Sequence, residues 1–210
     1  MKKYRVAIVD DHGVVRMGLK FTLGLFKDVE FVGEWATGEG AADFVLGKNP
    51  DVTLLDIRLP DKDGLTVLGE ILAADSSAKV IMLTTSSLEE DIYRSIKMGA
   101  KGYVLKDRDT ENIVKAVRAV AEGGTFIPDD IRAIFKARAS EPELTATESE
   151  ALILLAQGLT NKAMAAKLCI SEDAVKMRLK HAYEKIGVSD RAGAIAATIR
   201  KGIAKPDGVV

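Results

Sequence analysis

The run Val52-Thr-Leu-Leu-Asp56-Ile-Arg-Leu-Pro-Asp-Lys-Asp-Gly64 decides the fold. It begins as a short apolar, β-prone stretch, stops on an aspartate and passes at once into a turn rich in Pro, Asp and Gly. A buried parallel strand ends in this way before a loop. A carboxylate at that point lies at the carboxyl edge of the sheet, where open α/β sheets bind their ligands. Other strand-like runs end alike. Asp10 and Asp11 follow residues 5–9, Thr84 follows 79–83, and Lys106 follows 102–105. Four strand ends thus bring three carboxylates, a hydroxyl and an amine to one edge.

Outward from this run, strand and helix patterns alternate. Strands are expected at 4–9, 31–36, 52–56, 79–83 and 102–105, and helices at 13–26, 40–46, 65–74, 88–98 and 110–122. In the first helix Val14, Val15, Leu19, Leu23 and Phe26 fall on one side. Five alternations argue for a parallel sheet covered on both faces, with the first domain ending near residue 125. A polar helix fits 129–139. Residues 139–143 read as a linker, because Pro142 biases its predecessor away from helix. Beyond it no strand pattern appears. Helical runs fit 145–157, 161–167, 172–186 and 190–200, with Thr145-Ala-Thr-Glu148 as a capping box and Gly158 and Gly187 as stops.

The chain has 210 residues and a net charge of −1, but the charge is unevenly spread. Residues 1–127 carry 17 Lys/Arg and 20 Asp/Glu, whereas residues 155–205 carry 10 and 4. A basic C-terminal segment points to a polyanion partner at that end only. The single cysteine, Cys169, stands among apolar neighbours, so no internal disulfide can form and a reducing compartment is expected. No run approaches the roughly 18 apolar residues of a membrane span, and the apolar start is too short for a signal sequence. A cytoplasmic protein is expected.

Asp10, Asp11 and Asp56 form an oxygen-rich set with no Cys or His pair nearby. Hard oxygen ligands of this kind suit Mg²⁺. Three close anions repel and raise at least one pKa. A divalent cation relieves that repulsion and leaves an aspartate able to attack phosphorus. Lys106 can then offset phosphoryl charge while Thr84 bonds a phosphoryl oxygen, since phosphoryl transfer is mostly positioning and charge neutralisation. His12 reads as structural and Trp35 as packing.

Asp10-Asp11, Asp56 with Pro60 and Gly64, Thr84, and Gly99-Ala-Lys-Gly-Tyr-Val-Leu-Lys106 together resemble the receiver domain of bacterial response regulators, over about residues 3–125. The resemblance implies a flavodoxin-like (βα)5 fold with sheet order 2-1-3-4-5. It further implies Asp56 as phosphoacceptor, direct Mg²⁺ ligation by Asp11, Asp56 and the backbone carbonyl of Arg58, Asp10 acting through water, and Thr84 with Tyr103 as a switch pair. The phosphoryl donor would be a phosphohistidine on a sensor histidine kinase. Arg58 and Ser86, each two residues past a site residue, stand where hydrolysis is influenced. Arg58 is expected to overhang the phosphoryl group and screen it from water.

In 172–186, Val175, Leu179, Ala182 and Ile186 lie within about 40° of one direction at about 100° per residue, and Lys176, Met177 and Lys180 point elsewhere. A narrow apolar back with a basic front suits a DNA major groove. Ser171 fits as its N-cap, and the preceding short helix and turn complete a helix-turn-helix pattern. Leu144-Thr, Glu148-Ser-Glu150, Gly158-Leu-Thr-Asn-Lys162, Ile170-Ser-Glu, Ala174-Val-Lys176 and Lys185-Ile-Gly-Val-Ser-Asp-Arg191 resemble the LuxR-type (GerE-like) domain, which is all-α with four helices. With the receiver, the chain resembles the NarL/FixJ class. That class implies base contacts from Lys176, Met177 and Lys180 and phosphate contacts from Asn161, Lys162 and Arg191. Ala174 stands where Thr is common and Arg178 where His is common. Ala192, Ile195, Ala196 and Ile199 form a stripe that in the family pairs two modules on a two-fold DNA site, as a homodimer. The expected organisation is a receiver over 1–125, a partly helical linker over 126–143 and a DNA-binding domain over 144–206. The expected function is a transcriptional regulator switched at Asp56. Two alternatives remain: a phosphorylation-independent DNA-binding regulator, and a Mg²⁺-dependent aspartyl phosphatase. The phosphatase needs a second acid/base two residues beyond its nucleophile, which neither Asp10 nor Asp56 has.

Overall fold

A computed structural model describes residues 3–85, 88–106 and 110–204. The chain runs through β1 (Tyr4–Val9), α1 (Gly13–Gly24), β2 (Val29–Trp35), α2 (Ala41–Lys48), β3 (Val52–Asp56), α3 (Gly64–Ala74), β4 (Val80–Thr84), α4 (Glu89–Met98), β5 (Gly102–Leu105) and α5 (Thr110–Ala121). After these come α6 (Asp129–Ala139), α7 (Ala146–Ala156), α8 (Asn161–Leu168), α9 (Glu172–Ile186) and α10 (Arg191–Arg200). Two compact units result: an α/β unit of residues 1–87 and 91–133, and a helical unit of 134–210 with 88–90.

In the α/β unit all strands pair in parallel in the order β2-β1-β3-β4-β5. Every residue of β3 and β4 is buried. This is why their sequences run apolar without alternation: helices cover both faces of a parallel sheet. The order reverses between β1, which leads to β2 on one side, and β3 on the other. Such a switch point leaves a crevice outside the carboxyl ends of those two strands. Asp10 follows β1 directly and Asp56 ends β3, so both carboxylates stand at this crevice.

Several boundaries differ from expectation. β2 begins at Val29, and α2 runs to Lys48, where Asn49 adopts a left-handed conformation (φ 46°) and stops it. Thr84 lies within β4, opposite Leu105 in the β4–β5 ladder. In α1, Leu19 and Leu23 are buried and Val15 and Phe26 pack partly against the core, but Val14 does not join them and is exposed. Ser86 lies outside the described residues.

In the helical unit, the Thr145 side chain accepts from Glu148 N while Glu148 accepts from Thr145 N, completing the capping box of α7. Ser171 caps α9 through Ala174 N, and Gly187 ends it at φ 71°. Val175, Leu179, Ala182 and Ile186 are all buried, in a core with Leu152, Leu155 and Met164. Cys169 is exposed rather than apolar in setting, and it ends α8 in a left-handed conformation.

Candidate functional site

Asp10, Asp56 and Thr84 are almost wholly buried at the carboxyl edge of the sheet. Lys106 reaches in from the end of β5, its backbone N–H donating to Thr84 O at 2.8 Å. Its ammonium lies 2.5 Å from Asp56 Oδ2 and 2.8 Å from Asp10 Oδ2. Asp10 Oδ1 accepts from His12 N at 2.9 Å, and Asp56 Oδ1 accepts from Arg58 N at 3.2 Å. Asp11 is the more exposed member. Tyr103 is fully buried on β5, and burial pushes its phenol pKa well up. The sequence-derived residues Asp10, Asp11, Asp56 and Lys106 are therefore brought together, with Thr84 closing the edge beside them.

Ligand atoms of Asp10, Asp11, His12 and Asp56 all lie within 4.8 Å of one another. Asp10 Oδ2 has the Lys106 ion pair yet makes no hydrogen bond of good geometry, although its residue is fully buried. A buried carboxylate oxygen left in that state fits a cation as its further partner. The acidic cluster is compatible with Mg²⁺ by the hardness of its oxygens.

Two side chains depart from expectation. The Arg58 guanidinium, expected to screen Asp56 from water, is held in an ion pair with Asp91 of α4 at 2.5 Å. His12 is largely exposed, with Nδ1 2.6 Å from Asp11 Oδ1, and it belongs to the rim of the acidic set rather than to the structure beneath it. It also supplies the titratable group two residues past Asp10 that the sequence reading overlooked. Trp35 does pack, stacked on Phe44 at 5.4 Å, with its indole N–H donating to Glu39 O.

Gly64 carries a requirement that motif reading alone does not reveal. A Cβ there would sit 2.0 Å from Asp56 O and 2.8 Å from Ile57 Cα. The first turn of α3 thus lies directly on the backbone that presents the Asp56 carboxylate.

Burial raises the Asp56 pKa above its ordinary value, against the hydrogen bond and charge of Lys106, which lower it. The ionised carboxylate therefore weakens folding at neutral pH, and that cost disappears as pH falls through the raised folded pKa. Asp56→Asn is expected to melt roughly 3 °C or more above the wild type in metal-free buffer at pH 7. The difference should shrink in acid. Thermal melts over a pH series check this, and an equal or lower melting point at pH 7 would contradict it.

On the helical unit, Lys176, Met177 and Lys180 project from the exposed side of α9, opposite its buried stripe. Asn161, Lys176, Lys180 and Arg191 line one shallow depression, while Lys162 is exposed at the start of α8. Lys176 pairs with Asp173 at 2.9 Å, and Arg191 donates to Leu159 O at 2.7 Å. On α10, Ala194 and Ala197 face the core, leaving Ala192, Ala196 and Ile199 exposed and Ile195 half-buried. The stripe noted in the sequence is thus mostly an outer face.

An acidic centre of cation-compatible chemistry at a sheet edge, together with a basic helix-turn-helix face in one chain, fits a signal-responsive DNA-binding regulator. Residues 6–118 match the response regulator receiver domain, and residues 142–198 match the bacterial regulatory proteins of the luxR family. The nitrate/nitrite response regulator protein NarL of Escherichia coli (strain K12) is 32% identical over 198 residues, covering 90% of this chain and 92% of that one. NarP of the same strain is 36% identical over 203 residues, covering 93% of each. Among solved structures, response regulator ChrA of a heme-sensing two-component system is 38% identical, with a TM-score of 0.57 over 97% of this chain and all of that one. RcsB from Salmonella enterica serovar Typhimurium, bound to promoter P1flhDC in the presence of phosphomimetic BeF3−, is 27% identical, with a TM-score of 0.72 over 93% of this chain and 98% of that one. The chain belongs to the two-component response regulators of NarL type: it is a DNA-binding transcriptional regulator with a receiver and a LuxR-type domain. Among the described residues, no helix is long and apolar enough to cross a membrane.

Proposed function

We propose that Asp56 takes a phosphoryl group from a phosphohistidine of a sensor histidine kinase, and that this shifts the chain toward a pair of copies bound on DNA. The observation that supports this most is the Lys106 ammonium between Asp56 and Asp10, with Asp11 beside them. An Asp56 oxygen attacks phosphorus, the phosphorus–nitrogen bond breaks, and the kinase imidazole leaves. Lys106 offsets charge on the phosphoryl oxygens and Thr84 bonds one of them. Asp11, Asp56 and the Arg58 carbonyl would hold Mg²⁺, with Asp10 acting through water. The ion would supply neutralisation of the clustered anions. Thr84 and Tyr103 then bias a two-state equilibrium of the receiver. We assign residues 1–125 to the receiver, 126–143 to the linker and 144–206 to the DNA-binding domain, in a cytoplasmic protein that is not a turnover enzyme.

The test is DNA affinity with and without a small phosphodonor and Mg²⁺. Tighter binding only with both supports the reading, and equal affinity supports a phosphorylation-independent regulator. Rapid turnover of a generic phosphate ester would instead favour the phosphatase.

Metal binding can be followed through Trp35, the single tryptophan, whose carbonyl accepts from Asp10 N at 3.1 Å. Asp11→Ala should weaken Mg²⁺ binding by at least about tenfold, since it removes a direct carboxylate ligand. An unchanged fluorescence titration would remove Asp11 from the ligand set.

On DNA, Asn161, Lys162 and Arg191 are assigned to phosphates and Lys176, Met177 and Lys180 to base edges. Arg191→Ala should weaken all sequences alike and lower the salt slope by about 1. Lys180→Ala should cost roughly 1–3 kcal/mol on the preferred site and much less on others. Binding isotherms on two sequences at several salt concentrations separate the two roles.

A further inference from the structure

His12 stands at the N-cap of α1 but does not cap it. Its backbone is extended (φ −79°, ψ 105°), and its side chain makes no hydrogen bond to the first turn. An N-cap side chain ordinarily accepts from that turn. Here the backbone is fixed by other means. His12 N donates to Asp10 Oδ1 at 2.9 Å, and His12 O accepts from Arg16 N at 3.1 Å. The imidazole is left to the acidic centre, with Nδ1 2.6 Å from Asp11 Oδ1 and 3.7 Å from Asp10 Oδ1.

These separations suit a shared cation. An octahedral ion at about 2.1 Å holds adjacent donor atoms roughly 3 Å apart and opposite ones roughly 4 Å apart. The two His12 separations bracket the first value. Donor atoms of Asp10, Asp11, His12 and Asp56 all lie within 4.8 Å of one another, wide enough for the second. The Lys106 ammonium occupies the buried end of the centre, against Asp10 Oδ2 and Asp56 Oδ2, and Asp10 Oδ2 still makes no hydrogen bond of good geometry. His12, 63% exposed, stands at the open rim. Carboxylates alone offer a cation only hard oxygens, which Mg²⁺ accepts while keeping its waters. An imidazole nitrogen suits first-row transition ions instead, in an affinity order that rises from Mn²⁺ to Ni²⁺.

We propose that His12 Nδ1 is a further metal ligand, and that it makes this centre prefer a first-row transition cation to Mg²⁺. The proposal rests on the reading of Asp11 and Asp56 as cation ligands, and it names the class of ion they hold together with His12. The exposed rim lets that ion exchange with solvent.

Electron paramagnetic resonance of free Mn²⁺ measures its binding to the full chain, and displacement of Mn²⁺ measures Mg²⁺ and Ni²⁺. His12→Ala and His12→Phe should each weaken Mn²⁺ by at least about tenfold and Ni²⁺ by about a hundredfold, the range that support of a metal ligand commands. Mg²⁺ should weaken by less than about twofold, because it does not take the nitrogen. Spin-echo spectra of Mn²⁺ on the wild type should show a directly bonded nitrogen, lost in both variants. Equal losses for all three ions, no loss for any, or a wild-type spectrum without bonded nitrogen overturns the role of His12. The acidic centre then stands if Asp11→Ala still weakens Mg²⁺. Should a His12 variant fail to fold, the wild-type spectrum decides. Mg²⁺ and Mn²⁺ binding that Asp11→Ala leaves unchanged overturns the acidic centre, and the place of His12 in it.

Discussion

Asp56→Asn is expected to abolish phosphoryl uptake from a small phosphodonor, by at least about a thousandfold or ~4 kcal/mol of barrier. Asparagine keeps the shape of the side chain but offers no anionic oxygen to attack phosphorus. Lys106, 2.5 Å from Asp56, carries an ammonium and has no oxygen to attack phosphorus. The same change should uncouple DNA binding from the phosphodonor. Coupling between two sites usually amounts to about 5–150-fold in affinity. The wild type should respond within that range and Asp56→Asn not at all. Incorporated phosphate and DNA isotherms measured on one sample check both statements. A variant that still responds would place the acceptor elsewhere.

Gly64→Ala is expected to have the largest effect on stability, although it adds one methyl group. That methyl would overlap Asp56 O at 2.0 Å, Ile57 Cα at 2.8 Å and Asp56 C at 2.9 Å. All three are backbone atoms, so no rotamer change relieves the clash. The Gly64 N–H also donates to Ile57 O at 2.9 Å, which ties the two segments at that separation. Either α3 retreats or the end of β3 moves. A cost of about 3 kcal/mol, the upper range for overpacking, would lower the melting point by roughly 10 °C. Phosphoryl uptake should fall as well, because Asp56 would leave its register with Lys106. Gly69→Ala on the same helix is the control. There the added Cβ would meet only the Met98 methyl at 3.2 Å, and stability should hold or rise slightly.

The sheet and its acidic rim were legible in the sequence for a physical reason. Strands buried on both faces must be apolar along their length, so their polar terminal residues stand out as Asp10, Asp56 and Lys106 do. Cap chemistry is equally local, and Thr145, Glu148 and Ser171 could be read directly. Arg58 could not be read in this way. Its guanidinium is set by Asp91, 33 residues away on α4. Helical spacing places Val14 on the core side because it gives direction relative to neighbours, not which of two apolar faces is covered. His12 gives no motif signal because its partner, Asp11, is adjacent in sequence rather than at helical spacing. The need for glycine at 64 appears only when α3 is laid across the end of β3.

The ammonium that bridges Asp56 and Asp10 arrives on the last strand of the sheet, 50 residues after the aspartate it serves. During synthesis the Asp56 carboxylate therefore leaves the ribosome well before its counter-charge. A nascent or prematurely ended chain carries the carboxylates without the ammonium that pairs with them until β5 docks. On the proposal that Asp56 accepts the phosphoryl group, a half-made copy lacks the cation that offsets its charge.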